Sequence, residues 1–246
     1  MKAIMLVAGY ATRLYPLTEN MPKGLLTLNG KTLIDYTFEK LEKIQEVEEA
    51  ILVSNHKFFA QFDEWAKNYN GRIKITVLDD NTTSNEDRLG AIGDLQFAID
   101  KFAIDEDIIV LVSDNYFTYE LTELYDFYKE KNADCMLGCE FEDLEYLGKN
   151  FAVATIDEKQ KVTSLVEKPG IAPSNIGVWA TYIYTRDSVK LIKKYLEEGN
   201  NKDAPGHFPA WLHKIKDVYL YMFEGECYDI GTLKVYNELN EKLSKK

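Results

Sequence analysis

A glycine-containing loop begins directly after the first apolar run of the chain, Leu6-Val-Ala-Gly-Tyr-Ala-Thr-Arg-Leu14, and continues to Pro22-Lys23. Ligands of open α/β sheets bind beyond the carboxyl ends of strands. A loop that is small at Ala8, Gly9 and Ala11 lets backbone N–H groups approach phosphate oxygens closely. Arg13 and Lys23 add two cations to that loop. Gly9 alone reads as a tight connection; its company of small residues, Thr12-Arg13 and Pro-Lys favours an anion. The loop lacks the Gly-Lys-Ser/Thr of a Walker A sequence and the Gly-x-Gly-x-x-Gly of a dinucleotide fingerprint, so ATPase and dehydrogenase readings lose their main support.

Two aspartates stand at similar loop positions far apart in the chain. Asp114 follows the strongest apolar run, Ile108 to Val112, and Asp229 precedes Ile-Gly-Thr232. Either one alone has the competing reading of a turn or a helix cap. Together they supply the one or two hard carboxylates that Mg²⁺ asks for, with water and substrate phosphate completing its shell. His56, His207 and His213 have no Glu or Cys at ligand spacing, so surface or core roles are expected. Cys135, Cys139 and Cys227 form no metal or disulfide pattern and read as reduced core thiols. Tyr219, Tyr221 and Tyr228 read as strand packing, and Lys242 to Lys246 as a solvated end.

Positioning these groups requires a framework, and the hydropathy pattern supplies one. Strands are predicted at Lys2–Val7, Ala50–Ser54, Ile73–Leu78 and Asp107–Val112, alternating with helices at Leu33–Ile44, His56–Tyr69 and Gly90–Phe102. That alternation marks a parallel sheet flanked by helices. From Asp134 the texture becomes β-rich and mixed, with strands at Cys135–Phe141, Phe151–Ile156, Lys161–Val166 and Ile176–Tyr184. Helices follow at Arg186–Glu197 and Phe208–Lys214, then a strand at Val218–Phe223 and a terminal amphipathic helix at Leu233–Leu243. One continuous α/β domain is expected: about 1–133 with the alternating pattern, about 134–232 as a β-rich substrate lobe, and 233–246 as the terminal helix.

Composition bounds the partners. The 246 residues are 46% hydrophobic and 28% charged, enough for a substantial core, and no apolar run approaches the length of a membrane span. No secretory leader pattern opens the chain, so a cytoplasmic protein is expected. The net charge of −12 disfavours nucleic acid as a partner and leaves room for a small anion held in a local basic cleft.

The loop resembles the nucleotide-binding signature of the sugar-phosphate nucleotidyltransferases, Leu-Ala-Gly/Ala-Gly-x-Gly-Thr-Arg-Leu followed by Pro-Lys. Further matches come in that family's order across nearly the whole chain. Leu89-Gly-Ala-Ile-Gly-Asp-Leu95 resembles its Leu-Gly-Thr-Ala-Gly-Ala-Leu, Val112-Ser-Asp-Asn115 its Gly-Asp-Asn, Val166-Glu-Lys-Pro169 its Glu-Lys-Pro, and Ser174-Asn175 an acceptor-contacting Asn. Tyr228-Asp-Ile-Gly-Thr232 resembles its Leu-Asp-Thr-Gly-Thr. The resemblance implies a Rossmann-like three-layer α/β fold with a mixed, mainly parallel sheet (GT-A-like) and a β-rich acceptor-binding lobe. It implies Mg²⁺-dependent transfer of a nucleoside monophosphate from an NTP (dTTP, UTP or CTP) to a sugar 1-phosphate, with pyrophosphate released. By the same resemblance Asp114 and Asp229 hold the metal, and Arg13, Lys23 and Lys168 act on the phosphates. Ala8, Gly9, Tyr10, Ala11, Thr12 and Gly90 line the nucleotide, while Glu167, Lys168 and Asn175 meet the acceptor.

The chain departs from the pattern in places. Ala11 replaces a loop glycine, which predicts ordinary L-residue angles there. Ser113 precedes Asp114 where Gly is usual, and Cys227 stands where an aromatic is common. Phe151-Ala152-Val153 occupies the place of Tyr-Gly-Val, and Ala180 that of another Gly. The acceptor half is thus the less typical half. Two other readings stay open: a CTP:phosphocholine-type cytidylyltransferase, for which aromatic faces would be needed, and a non-catalytic nucleotide-sugar sensor on the same fold. No appended acyltransferase or regulatory domain is expected. Base preference, acceptor identity and any homo-oligomer are not legible in the sequence.

Overall fold

A computed structural model describes residues 1–245. The first strand, β1 (Lys2–Leu6), is followed by a small hairpin of β2 (Thr27–Leu28) and β3 (Lys31–Thr32) and by α1 (Leu33–Leu41). Thr32 and Asp35 form a capping box that starts α1, and Leu33, Ile34, Phe38 and Leu41 give it one buried face. Then come β4 (Glu49–Ser54), α2 (His56–Asn68), β5 (Lys74–Asp79), α3 (Ala91–Phe102), β6 (Ile108–Val112) and β7 (Asn115–Phe117). The Asn55 side chain caps α2 by accepting from Phe58 N at 3.0 Å. After α4 (Leu121–Lys131) the chain runs through β8 (Asp134–Glu140), α5 (Leu144–Asn150), β9 (Ala152–Ile156), β10 (Val162–Glu167) and β11 (Ile176–Tyr184). It finishes with α6 (Arg186–Glu197), α7 (His207–Leu212), β12 (Val218–Met222), β13 (Cys227–Asp229) and α8 (Leu233–Ser244).

The described chain gathers into two compact units, each drawn from separate stretches. Among the described residues, an amino-terminal unit comprises 2–88, 112–122 and 225–245; a central unit comprises residue 1, 89–111 and 123–224. In the amino-terminal unit β4 lies between β1 and β5, parallel to both, with Ala3 opposite Ala50 and Ile51 opposite Thr76. Ala3 to Met5 and Ala50 to Val53 are buried without interruption, as expected of a parallel sheet covered on both faces. In the central unit β11 pairs antiparallel with β6, β8 and β9, β9 pairs with β10, and β12 runs parallel to β8. The mixed α/β fold and the β-rich second half agree with the expectations from hydropathy.

Helices α4 and α5 were not predicted. In α4 the residues Leu121, Leu124, Tyr125, Phe127 and Tyr128 are buried, but the tyrosines interleave with charge and blur the helical period. Helix α5 spans less than two turns and carries Gly148, so its amphipathic signal is too short to read. The cysteines are free, and only Cys135 is fully buried; its thiol is pushed up by burial. Lys242 is not merely solvated: its ammonium pairs with Glu226, bonds the Tyr228 hydroxyl at 2.7 Å and lies over the Tyr228 ring. Lys246 falls outside the described residues. No helix among the described residues is long and apolar enough to cross a membrane.

Candidate active site

The loop after β1 is fastened at several points. Val7 N continues the pairing with β4 through Val53 O at 2.9 Å, and Asn55 Nδ2 holds Ala8 O at 2.8 Å. Thr18 Oγ1 donates to Ala11 O at 2.8 Å. Ala11 itself sits at φ 48°, ψ 40°, so the expectation of ordinary angles there is overturned. An L-residue in this region costs about 1–2 kcal/mol. The turn that follows, Thr12 to Leu14, imposes the angle. Leu14 is locked into a buried cluster with Leu26, Leu28, Leu33, Ile230, Leu239 and Leu243, which fixes the turn and holds Arg13 on its exposed side. A Cβ at Gly9 would meet nothing within 4 Å, so neither crowding nor backbone angle inside the chain demands this glycine. Tyr10 turns its ring inward, 6.4 Å from Phe58, and burial raises its hydroxyl pKa, leaving its backbone on the loop face.

Asp114 and Asp229 come together because the short strands that flank them pair. In the antiparallel ladder of β7 and β13, Asp229 lies opposite Asn115, and Ile230 N donates to Asp114 O at 3.0 Å. Lys23 stands between the two carboxylates, its Nζ 3.0 Å from Asp114 Oδ2 and 3.4 Å from Asp229 Oδ1. Its residue is 9% exposed, so the ion triad is largely shielded from solvent on the lysine side. Gly24 makes the approach feasible: a Cβ there would lie 2.8 Å from Ser113 Cβ. The Ser113 that departs from the resemblance therefore fits against a glycine that makes room for it. Arg13 joins the group near Gly231, where a Cβ would be 3.2 Å from Asp229 Oδ2 and 3.6 Å from Arg13 Nη2. Burial, then the charge of Asp114, raises the Asp229 carboxyl pKa, while Lys23 and Arg13 oppose the rise.

Two partly buried carboxylates held this close repel each other unless a cation lies between them, and here the Lys23 ammonium is that cation. Among the described residues no group of three or more His, Cys, Asp or Glu forms a metal cage. A pair of carboxylates suits Mg²⁺, which keeps several waters and takes substrate phosphate for the rest. The donor set therefore fits.

The groups expected to meet an acceptor lie in the central unit. Glu167 ends β10 with its side chain only 8% exposed, and burial raises its carboxyl pKa against the lowering effect of Lys168. Lys168 has φ 45°, a left-handed angle that turns the chain sharply out of β10, and Lys168 N bonds Phe151 O at 3.1 Å. Its ammonium is half-exposed, 3.9 Å from Glu167 Oε1. Asn175 is exposed at the start of β11, its carbonyl receiving Phe141 N at 2.8 Å. Gly90 caps α3 at φ 81°, where a Cβ would strike Lys202 O at 2.7 Å, so the chain's own packing already demands glycine there.

His207, set aside on sequence grounds, lines a cavity of about 330 Å³ with Glu167. Burial, then the charge of Lys168, lowers its pKa. No sequence signal marks it, since it stands 40 positions from Glu167 and no pattern links the two.

Solved structures place the fold. A UDP-glucose pyrophosphorylase complexed with UDP-glucose superposes with a TM-score of 0.84 at 21% identity, covering 99% of this chain and 98% of that one. The family follows from sequence: the chain belongs to the nucleotidyl transferase family, whose model matches residues 2–246. It is 29% identical to the UTP–glucose-1-phosphate uridylyltransferase of Bacillus subtilis over 94% of this chain and 86% of that protein. It is 27% identical to mannose-1-phosphate guanylyltransferase 1 of Arabidopsis thaliana over 96% of this chain and 63% of that protein. A similar relative in Sulfolobus acidocaldarius is matched over 62% of its length, so the chain spans less than two thirds of several relatives.

Proposed function

We propose that this chain transfers a nucleoside monophosphate from an NTP to a sugar 1-phosphate, releasing pyrophosphate, with Mg²⁺ as cofactor. The observation that carries the reading is the gathering of Asp114, Asp229, Lys23 and Arg13 behind the loop after β1. The names of the relatives agree in substrate class, a nucleotide and a hexose 1-phosphate. An acceptor phosphomonoester has a second pKa near about 6, so its attacking dianion predominates at neutrality and needs no general base. The protein's task is then to hold two anions in line and to neutralise their charge.

Arg13 would meet phosphate oxygens with its planar fork, and Lys23 would add a second positive charge on the same side. Backbone groups of Ala8 to Thr12 would line the nucleotide, with Gly90 at its base. Magnesium on Asp114 and Asp229 would supply Lewis-acid stabilisation of phosphate oxygens. Lys168 would hold the acceptor phosphate, Glu167 a hydroxyl, and Asn175 a further polar group of the acceptor. A cytoplasmic supply of NTP belongs to the same reading.

The test is a grid of dTTP, UTP, CTP and GTP against hexose 1-phosphates and phosphocholine, scored by pyrophosphate release. Turnover in a hexose 1-phosphate column is expected. Turnover confined to CTP with phosphocholine would replace the acceptor, and tight NTP binding with no release in any cell would favour a sensor instead.

A further inference from the structure

Gly206 precedes α7 at φ −69°, ψ −13°, right-handed helical angles that every L-residue adopts. On backbone grounds alanine is the better residue there, because glycine forfeits more conformational freedom on folding. Side-chain space gives glycine its reason. A Cβ at 206 would land on Glu167 Oε2, 3.1 Å from Glu167 Cδ and 3.2 Å from Ala152 Cβ. The buried carboxylate thus rests against a bare stretch of main chain, with the Ala152 methyl beside it. Among the described residues its charged partner is Lys168, at 3.9 Å, beyond hydrogen-bond length. No hydrogen-bond donor among the described residues reaches the carboxylate, and it lines a cavity with His207, Asn200 and Trp211.

We propose that Gly206 is a positioning residue for the acceptor: by lacking a side chain it seats the Glu167 carboxylate in the buried pose from which it accepts an acceptor hydroxyl. The proposal rests on the sugar 1-phosphate reading for its substrate, but the Gly206–Glu167 contact stands without it. The atoms a methyl would overlap most are the far end of a flexible side chain, and the 3.2 Å approach to Ala152 Cβ asks only for a small adjustment, so Gly206→Ala should fold and move the carboxylate out into the cavity.

Gly206→Ala, Glu167→Ala and the double variant would be compared by pyrophosphate release, with Glu167 carboxyl titration followed by ¹³C NMR in wild type and Gly206→Ala. The acceptor KM should rise about tenfold in Gly206→Ala, the effect of losing a hydrogen bond to a charged group. The NTP KM should hold, the melting temperature should not fall, and Gly206→Ala should add nothing to the acceptor KM in the Glu167→Ala background. Glu167 should titrate closer to the ordinary carboxylate range once driven toward solvent. An equal KM rise in both backgrounds, an unchanged KM, an unmoved titration or a lost melting transition would each overturn the assignment. Should wild type turn over no sugar phosphate at all, the functional reading fails while the NMR titration still decides the contact.

Discussion

Arg13 is exposed, yet the turn that carries it is anchored by Leu14 in a buried cluster. A charge on a rigid turn is preorganised, and removing one of this kind costs about 100- to 1,000-fold in rate. Arg13→Ala should lower kcat by that order in steady-state assays without moving the melting temperature; wild-type turnover would remove Arg13 from the chemistry. Glu167 presents the opposite case, a group whose desolvation opposes stability. Its folded pKa lies above the unfolded one, so the cost of ionising it is absent below the unfolded carboxylate range and fully present above the folded pKa. Glu167→Gln should therefore melt at a higher temperature than wild type at neutral pH, with the gap closing as pH falls through that window. Differential scanning calorimetry across pH would show it, and a gap independent of pH would contradict it. Arg13 and Asp114 stood out because each follows a predicted strand, Lys23 because Pro-Lys continues the loop that carries Arg13, and Asp229 through the resemblance of its Tyr-Asp-Ile-Gly-Thr element. Gly206 and His207 did not, since their meaning comes from a carboxylate 39 and 40 positions away that no local pattern connects to them.

At the scale of elements, the pairing of β7 with β13 brings two aspartates 115 positions apart in the sequence into one cluster. Strands of three residues leave no periodicity to read, so neither was predicted, although the aspartates at their ends were. The long strands and α6 were legible because their burial follows simple periods: Arg186–Glu197 buries Ser188, Val189, Ile192 and Tyr195 along one face. The contact between Gly24 and Ser113 was invisible in sequence, where Ser113 registered only as a departure. Gly24→Ala should destabilise the fold by about 1–3 kcal/mol through overpacking and lower turnover by shifting Lys23. Adding Ser113→Gly should restore both. Chemical denaturation of the two single variants and the double would measure the coupling, and simple additivity would show that the residues do not share that space.

At the scale of the whole chain, the amino-terminal unit is completed only when residues 225–245 return to it, so Asp229 reaches Asp114 late in synthesis. No residue spacing in the sequence announces that return; only the order of motifs hinted at it. The proposed metal site would nonetheless not be a structural staple. Lys23 already lies between the two carboxylates, so the pair is neutralised by a covalently attached counter-ion before any divalent cation arrives. Chelation with EDTA should abolish turnover and leave the melting curve of the free protein in place. Lys23→Met should reverse that indifference, with Mg²⁺ then raising the melting temperature by occupying the vacated position between like charges. A wild-type protein that unravels on chelation would refute this. If the pair holds magnesium as proposed, then in a cell where free magnesium fluctuates such a chain would mature first and load its metal together with its nucleotide, so metal scarcity would idle it without sending it to the proteases.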